Sequence, residues 1–267
     1  MLGRRNFLAL AAAIPALDGI STRSAKVEKV FDSPGSKPNG LQASNDGLWI
    51  LDQGNNHVYL VSYENGKVLR DLETESDRGS GMTFDGEAIW IGSTYDRTII
   101  RSDAKTGKTI RKYFTPGAGV IYQRSGDAPA RRSPLAPPQP PGRQPPRAAP
   151  SAPRAGTGAH GMEWRDGKLW FAVPPSRTIY RVDPERWVVE HQFATSGNRP
   201  HGIGWEGDWL WCTDSNQNAF FKHNVTSGEI VEKIQLADSD PLPHGMTIWK
   251  GMMWYCDDVG IVCRLKM

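Results

Sequence analysis

Gly40-Leu41-Gln42-Ala43-Ser44-Asn45-Asp46-Gly47-Leu48-Trp49 holds the pattern that decides the fold: a glycine, a large apolar residue, a turn containing glycine, and a tryptophan nine positions after the first glycine. The same offset recurs at Gly81/Trp90, Gly161/Trp170, Gly202/Trp211 and Gly245/Trp254. One spacing kept five times marks an internal repeat, with a period of about 41 residues.

Each unit reads as four short strands. In the first, strand A runs from Gly40 to Ser44 and Asn45-Asp46-Gly47 turns the chain, Asp-Gly being suited to a tight hairpin. Strand B is Leu48 to Asp52, strand C His57 to Ser62, and strand D Lys67 to Glu73, with Glu64-Asn65-Gly66 as the last turn. Lys105-Thr106-Gly107 and Thr226-Ser227-Gly228 repeat that turn in later units. Four antiparallel strands per period describe the blades of an all-β propeller. The tryptophans are expected in the core between blades.

The chain ends support a closed ring. The last unit stops at Met267 without its strand D, and Lys26-Val27-Glu28-Lys29-Val30-Phe31 has the character of the missing strand. Placing it in the last blade closes the ring and removes an exposed sheet edge. Gly81 to Gly161 spans 80 residues, nearly two periods. The excess, about 117–157, contains Ala136-Pro137-Pro138-Gln139-Pro140-Pro141-Gly142, and proline cannot donate ladder hydrogen bonds. We read it as a mobile insertion in a five-bladed propeller covering 26–267; six blades, one degenerate, is the alternative.

Residues 1–25 read as an export segment. Gly3-Arg4-Arg5-Asn6-Phe7-Leu8 followed by the apolar run Ala9 to Leu17 is a twin-arginine signal, and the run is too short to anchor in a bilayer. The protein is therefore expected in the periplasm or secreted, with no transmembrane anchor once mature. A net charge of +3, with Arg131, Arg132, Arg143, Arg147 and Arg154 crowded into the insertion, gives no basic face for nucleic acid. Cys256 and Cys263 flank the Asp257–Gly260 turn, so they either face each other across a hairpin or are buried free thiols, as Cys212 would be. Phosphate-binding glycine loops, a Gly-x-Ser-x-Gly elbow and Cys-x-x-Cys pairs are absent from the sequence.

In a propeller the D-to-A connections and the B-to-C turns emerge on one face. The residue before each repeat glycine is Asn39, Ser80, His160, His201 and His244; the residue three after each tryptophan is Asp52, Ser93, Val173, Asp214 and Asp257. Two chemistries follow. His160, His201 and His244 with Asp52, Asp214 and Asp257 would form a ring of imidazoles and carboxylates that performs acid–base work or binds a divalent metal, magnesium or calcium. Alternatively, the histidines bond carbonyls of neighbouring blades and the aspartates cap turns. The insertion rises from the same face, bringing Tyr122 and Arg124 with Asn39 as substrate-binding candidates. It is either a lid, a loop without a role, or a contact for an acidic surface.

Arg199-Pro200-His201-Gly202-Ile203 running to Leu210-Trp211-Cys212-Thr213-Asp214, and Pro243-His244-Gly245-Met246 running to Trp254-Tyr255-Cys256-Asp257, resemble the streptogramin lyase (virginiamycin B lyase-like) propellers. The repeat itself is also similar to that of gluconolactonase-like and NHL-type propellers. The lyase resemblance implies a magnesium-dependent elimination that opens a cyclic ester, with His201 or His244 as base and Asp214 and Asp257 where that family tends to have glutamate. The family ring has seven blades, against five units here. The expectation is a monomeric, metal-dependent lyase or hydrolase acting on a small ester or lactone at the channel mouth. The alternative is a non-enzymatic propeller that binds a ligand or a protein.

Overall fold

A computed structural model describes residues 19–138 and 156–267. Two strands, β1 (Ser21–Ser24) and β2 (Glu28–Asp32), precede the repeats. Blade 1 is β3 (Pro38–Ser44), β4 (Gly47–Asp52), β5 (His57–Val61) and β6 (Val68–Glu73). Blade 2 is β7 (Gly81–Phe84), β8 (Ala88–Ser93), β9 (Thr98–Asp103) and β10 (Thr109–Phe114). Blade 3 is β11 (Met162–Arg165), β12 (Lys168–Val173), β13 (Thr178–Asp183) and β14 (Val188–Ala194). Blade 4 is β15 (Pro200–Glu206), β16 (Trp209–Asp214), β17 (Ala219–Asn224) and β18 (Ile230–Gln235). Blade 5 holds β19 (Met246–Trp249), β20 (Met252–Asp257) and β21 (Ile261–Lys266), and its fourth strand is β2. The fold is a five-bladed β-propeller.

The nine-residue spacing is the hairpin register written into the sequence. In every blade the residue two after the repeat glycine lies opposite the tryptophan: Gln42 and Trp49, Thr83 and Trp90, Glu163 and Trp170, Gly204 and Trp211, Thr247 and Trp254. All five indoles are at most 5% exposed. Each buries roughly 200 Å², at most about 5 kcal/mol at about 25 cal/mol per Å². A cation lies over each ring: Arg70, Arg101, Arg181, Lys222 and Arg264, at 5.5 to 5.8 Å from the centroid.

The innermost strands β3, β7, β11, β15 and β19 pack side by side around the axis, β19 returning to β3. The repeat glycines sit where these backbones touch. A Cβ on Gly245 would lie 2.5 Å from the Asn39 carbonyl oxygen, and one on Gly40 would lie 3.0 Å from the Met82 nitrogen. Backbone hydrogen bonds cross between blades at the same level, Gly161 N to His201 O (2.7 Å) and Gly202 N to His244 O (2.8 Å). Glycine recurs because only a residue without a side chain lets the blades meet.

β2 pairs antiparallel with β21, Phe31 opposite Val262, so the N-terminal strand closes the ring. Ahead of residue 26, Ser21–Ser24 adds a fifth, parallel strand to the outer edge of blade 4, where Arg23 meets Glu232 at 2.7 Å. Four mostly exposed residues carry no alternation that would announce a strand. Arg4, Arg5 and the run Ala9 to Leu17 lie outside the described residues. Cys256 lies opposite Val262, and Cys263 opposite Tyr255, so the two thiols point to opposite faces of the blade. Both are free and buried, as is Cys212.

Candidate functional site at the channel mouth

The five residues that precede the repeat glycines, Asn39, Ser80, His160, His201 and His244, line one cavity of about 450 Å³. Their convergence follows from the ring, each blade contributing the start of its innermost strand. His160 and His201 lie 4.6 Å apart between ring centroids, and so do His201 and His244, both pairs edge to face. All three are at least nine-tenths buried.

Burial pushes the three imidazoles toward the neutral form, and the nearby Arg199 and the other imidazoles act in the same direction. His160 falls to about 3, His244 to about 4, and His201 well below its ordinary value. At pH 7 all three are uncharged. The 3.7 Å approach of His244 Nε2 to Asp258 is therefore not an ion pair at that pH.

The hydrogen bonds fix the tautomer of His201. Ser215 Oγ donates to the Pro243 carbonyl at 2.6 Å, which leaves its oxygen as an acceptor. His201 Nδ1 lies 2.8 Å from that oxygen and 3.2 Å from the Arg199 carbonyl. Both partners accept, so the proton is on Nδ1 and Nε2 keeps its lone pair. His244 is arranged the same way, Nδ1 toward the Leu242 carbonyl (3.4 Å) and Nε2 accepting from Arg199 Nη2 (3.2 Å). His160 departs from this: Thr157 Oγ1 is 3.0 Å from Nε2, and Nδ1 is buried with no partner.

Asp52 and Asp214, candidate metal ligands in the sequence, have their carboxylates taken up by backbone N–H groups. Asp52 accepts from Lys37, Gly54 and Asn55, and Asp214 from Arg199 and Gln217. Neither lines the cavity. Asp257 begins in the same way, accepting from Leu242 N at 2.7 Å, but its Oδ1 is buried without a partner. Burial first, and the adjoining Asp258 carboxyl, push Asp257 up to about 7. His244, Asp257 and Asp258 bring one nitrogen and two carboxylate oxygens within 4.8 Å of one another. The two carboxylates of that set suit a hard divalent cation, with Asp257 Oδ1 in want of a partner, and Arg199 would have to turn away from His244 Nε2 before the imidazole could join them.

The described part of the insertion roofs the cavity. Val120, Ile121 and Gln123 line it, whereas Tyr122 is 65% exposed and Arg124 is exposed as well. Tyr122 acts instead through its carbonyl, which accepts from Arg177. Arg177 also grips both carboxylate oxygens of Asp127 at 2.6 Å, with side chains 6% and 7% exposed. Further along, Ser133 Oγ donates to Asp257 Oδ2 at 2.6 Å, and the Arg131 carbonyl accepts from Arg199. Residues 117–138 are thus tied to blades 3, 4 and 5. Arg143, Arg147 and Arg154 lie outside the described residues.

Arg199, Ser215, Asp258 and Ser133 were not anticipated. A basic residue two places before the ring position does recur, as Lys37, Arg78 and Arg199, and would have pointed to Arg199. Below the glycines the channel has a second polar level. Thr83 donates to Gln42 at 2.6 Å, and Thr247 to Glu163 at 3.3 Å, across the gap left by Gly204. Burial pushes Glu163 up to about 8.

No family model matches the chain, and no curated protein resembles it in sequence. Solved structures resemble it in fold. A glutaminyl cyclase from Myxococcus xanthus superposes with a TM-score of 0.65 over 92% of this chain and 97% of that one, at 8% identity. A virginiamycin B lyase from Staphylococcus aureus gives 0.49, at 19% identity over 87% of this chain and 67% of that one. A streptogramin B lyase gives 0.49, at 18% identity over 88% and 68%. Identity this low speaks to the propeller fold alone, and the lyase superpositions are too loose to place any side chain.

Proposed function

We propose that the channel mouth is the active site of an exported lyase or hydrolase acting on a small ester or lactone. The carrying observation is the state of His201: neutral, with Nδ1 held by Ser215 and the Arg199 carbonyl, and an unprotonated Nε2 at a cavity that also holds the Arg199 guanidinium. Nε2 removes a proton, either from the carbon alpha to the ester carbonyl or from an attacking water. Arg199, the cation in the lining, holds the substrate against that base through an oxygen of the substrate. His244, Asp257 and Asp258 would hold a divalent cation, magnesium or calcium; when bound, such an ion would polarise a carbonyl.

Export by the twin-arginine route belongs to the same proposal, supported by Arg4-Arg5 and the apolar run behind them. The test is a panel of esters and lactones assayed with the wild type and with His201→Gln. Turnover by the wild type that falls by about 100-fold or more in the variant supports the proposal; a panel untouched by wild type, with and without magnesium or calcium, contradicts it. One observation favours a binding protein instead. The imidazoles lie so far below neutrality that they are weak bases, better suited to accept hydrogen bonds from a ligand.

A further inference from the structure

Arg199 is the one cation among the residues lining the mouth cavity, and among the described residues it has no carboxylate within ion-pair distance. A guanidinium carries five N–H donors. Three of them reach neutral acceptors: His244 Nε2 at 3.2 Å, the Arg131 carbonyl at 3.1 Å and Asn216 Oδ1 at 3.5 Å. Among the described residues its Nε–H and one N–H on Nη2 have no hydrogen-bond partner. The carboxylates of Asp214 and Asp258 act on it only from farther away. Charges taken out of water are ordinarily paired, because an unpaired one costs several kcal/mol. The contrast within this molecule is direct: Arg177, buried where Arg199 is half-buried, is clamped on both oxygens of Asp127. Arg199 sits at a cavity wall with no such clamp among the described residues.

We propose that the cavity takes an organic monocarboxylate, its carboxylate gripped by Arg199. A planar carboxylate matches the guanidinium fork, and the neutral imidazoles beside it oppose it with no negative charge. The rest of the cavity calls for a carbon body: Val120, Ile121, Ala130 and Tyr95 add apolar surface to its lining. Asp258, also in the wall, disfavours a second negative charge, and hence a phosphate dianion. On the reading of the mouth as a small-molecule site, the substrate is an ester or lactone that also bears a free carboxylate, and Arg199 sets that specificity.

Benzoate, its neutral isostere benzamide, and phenyl phosphate test this by titration calorimetry on the full chain. Benzoate is expected to bind at least about tenfold more tightly than benzamide. Arg199→Gln should bring benzoate down to the level of benzamide and leave benzamide unchanged. Arg199→Lys, which keeps the charge and lacks the fork, should fall between them, and serves if the glutamine variant does not fold. Equal binding of benzoate and benzamide by the wild type, including no binding of either, overturns the proposal. So does a benzoate preference that survives in Arg199→Gln, or phenyl phosphate binding more tightly than benzoate. Benzoate held through Arg199 in a protein that turns over no ester would leave this proposal standing and remove the catalytic one.

Discussion

Arg199 Nη2 donates to His244 Nε2 across 3.2 Å, so a guanidinium withdrawn from water rests on a neutral imidazole rather than on a carboxylate. The pair joins blade 4 to blade 5 at the channel mouth and links three parts of the site. Arg199 also bonds the roof at Arg131, its carbonyl receives the His201 proton, and His244 shares a donor cluster with Asp257 and Asp258. A ligand that draws the guanidinium into the cavity therefore frees His244 Nε2 at the same time.

The level below the mouth gives a pH-dependent prediction. Glu163 is raised from about 4.5 to about 8, so the native state prefers its protonated form. Stability then falls as pH rises through the window from 4.5 to 8, by about 3 kcal/mol at pH 7 from this group. Glu163→Gln should match wild type in urea unfolding at pH 4 and exceed it increasingly toward pH 8. Equal pH profiles for the two proteins would show that Glu163 does not titrate this way.

The roof depends on one buried ion pair. Asp127→Asn leaves Arg177 buried beside a neutral amide and should cost about 3 kcal/mol or more of the local stability of residues 117–138. Hydrogen exchange should speed up there while the central strands β4, β8, β12, β16 and β20 keep their protection. Acceleration spread evenly over the blades would mean that the pair supports the ring rather than the roof.

Gly161→Ala tests why the glycine repeats. A Cβ at this position runs into the His201 carbonyl and the Gly202 backbone of the next blade. The expected loss is about 2 kcal/mol or more, read as a lower denaturation midpoint. Gly167→Ala, in an A–B turn at φ 71°, has open space around it and should cost only about 1 kcal/mol, from backbone strain.

Much of this was legible in the sequence. Gly40/Trp49 and its four counterparts encode a hairpin register, and a register repeated at one period can only stack into blades. The same periodicity placed Asn39, Ser80, His160, His201 and His244 on one mouth. Periodicity could not separate Asp257 from Asp52 and Asp214, because what distinguishes them is whether turn N–H groups reach the second carboxylate oxygen. Nor could it choose between Tyr122 and its neighbours Ile121 and Gln123, since a loop without alternation does not say which side chains point inward. Ser133 meets Asp257 from 124 residues away, a contact that exists only once the roof is laid over the ring.

The measurement closest to the central claim is ¹⁵N nuclear magnetic resonance of histidine-labelled protein at pH 7, with His201→Gln used to assign the ring signals. His201 is expected to be neutral at pH 7, protonated on Nδ1 with a bare Nε2, and to take up a second proton only well below its ordinary titration range. A His201 that is imidazolium at pH 7, or that carries its proton on Nε2, would contradict this, because its Nε2 could then accept no proton from a substrate.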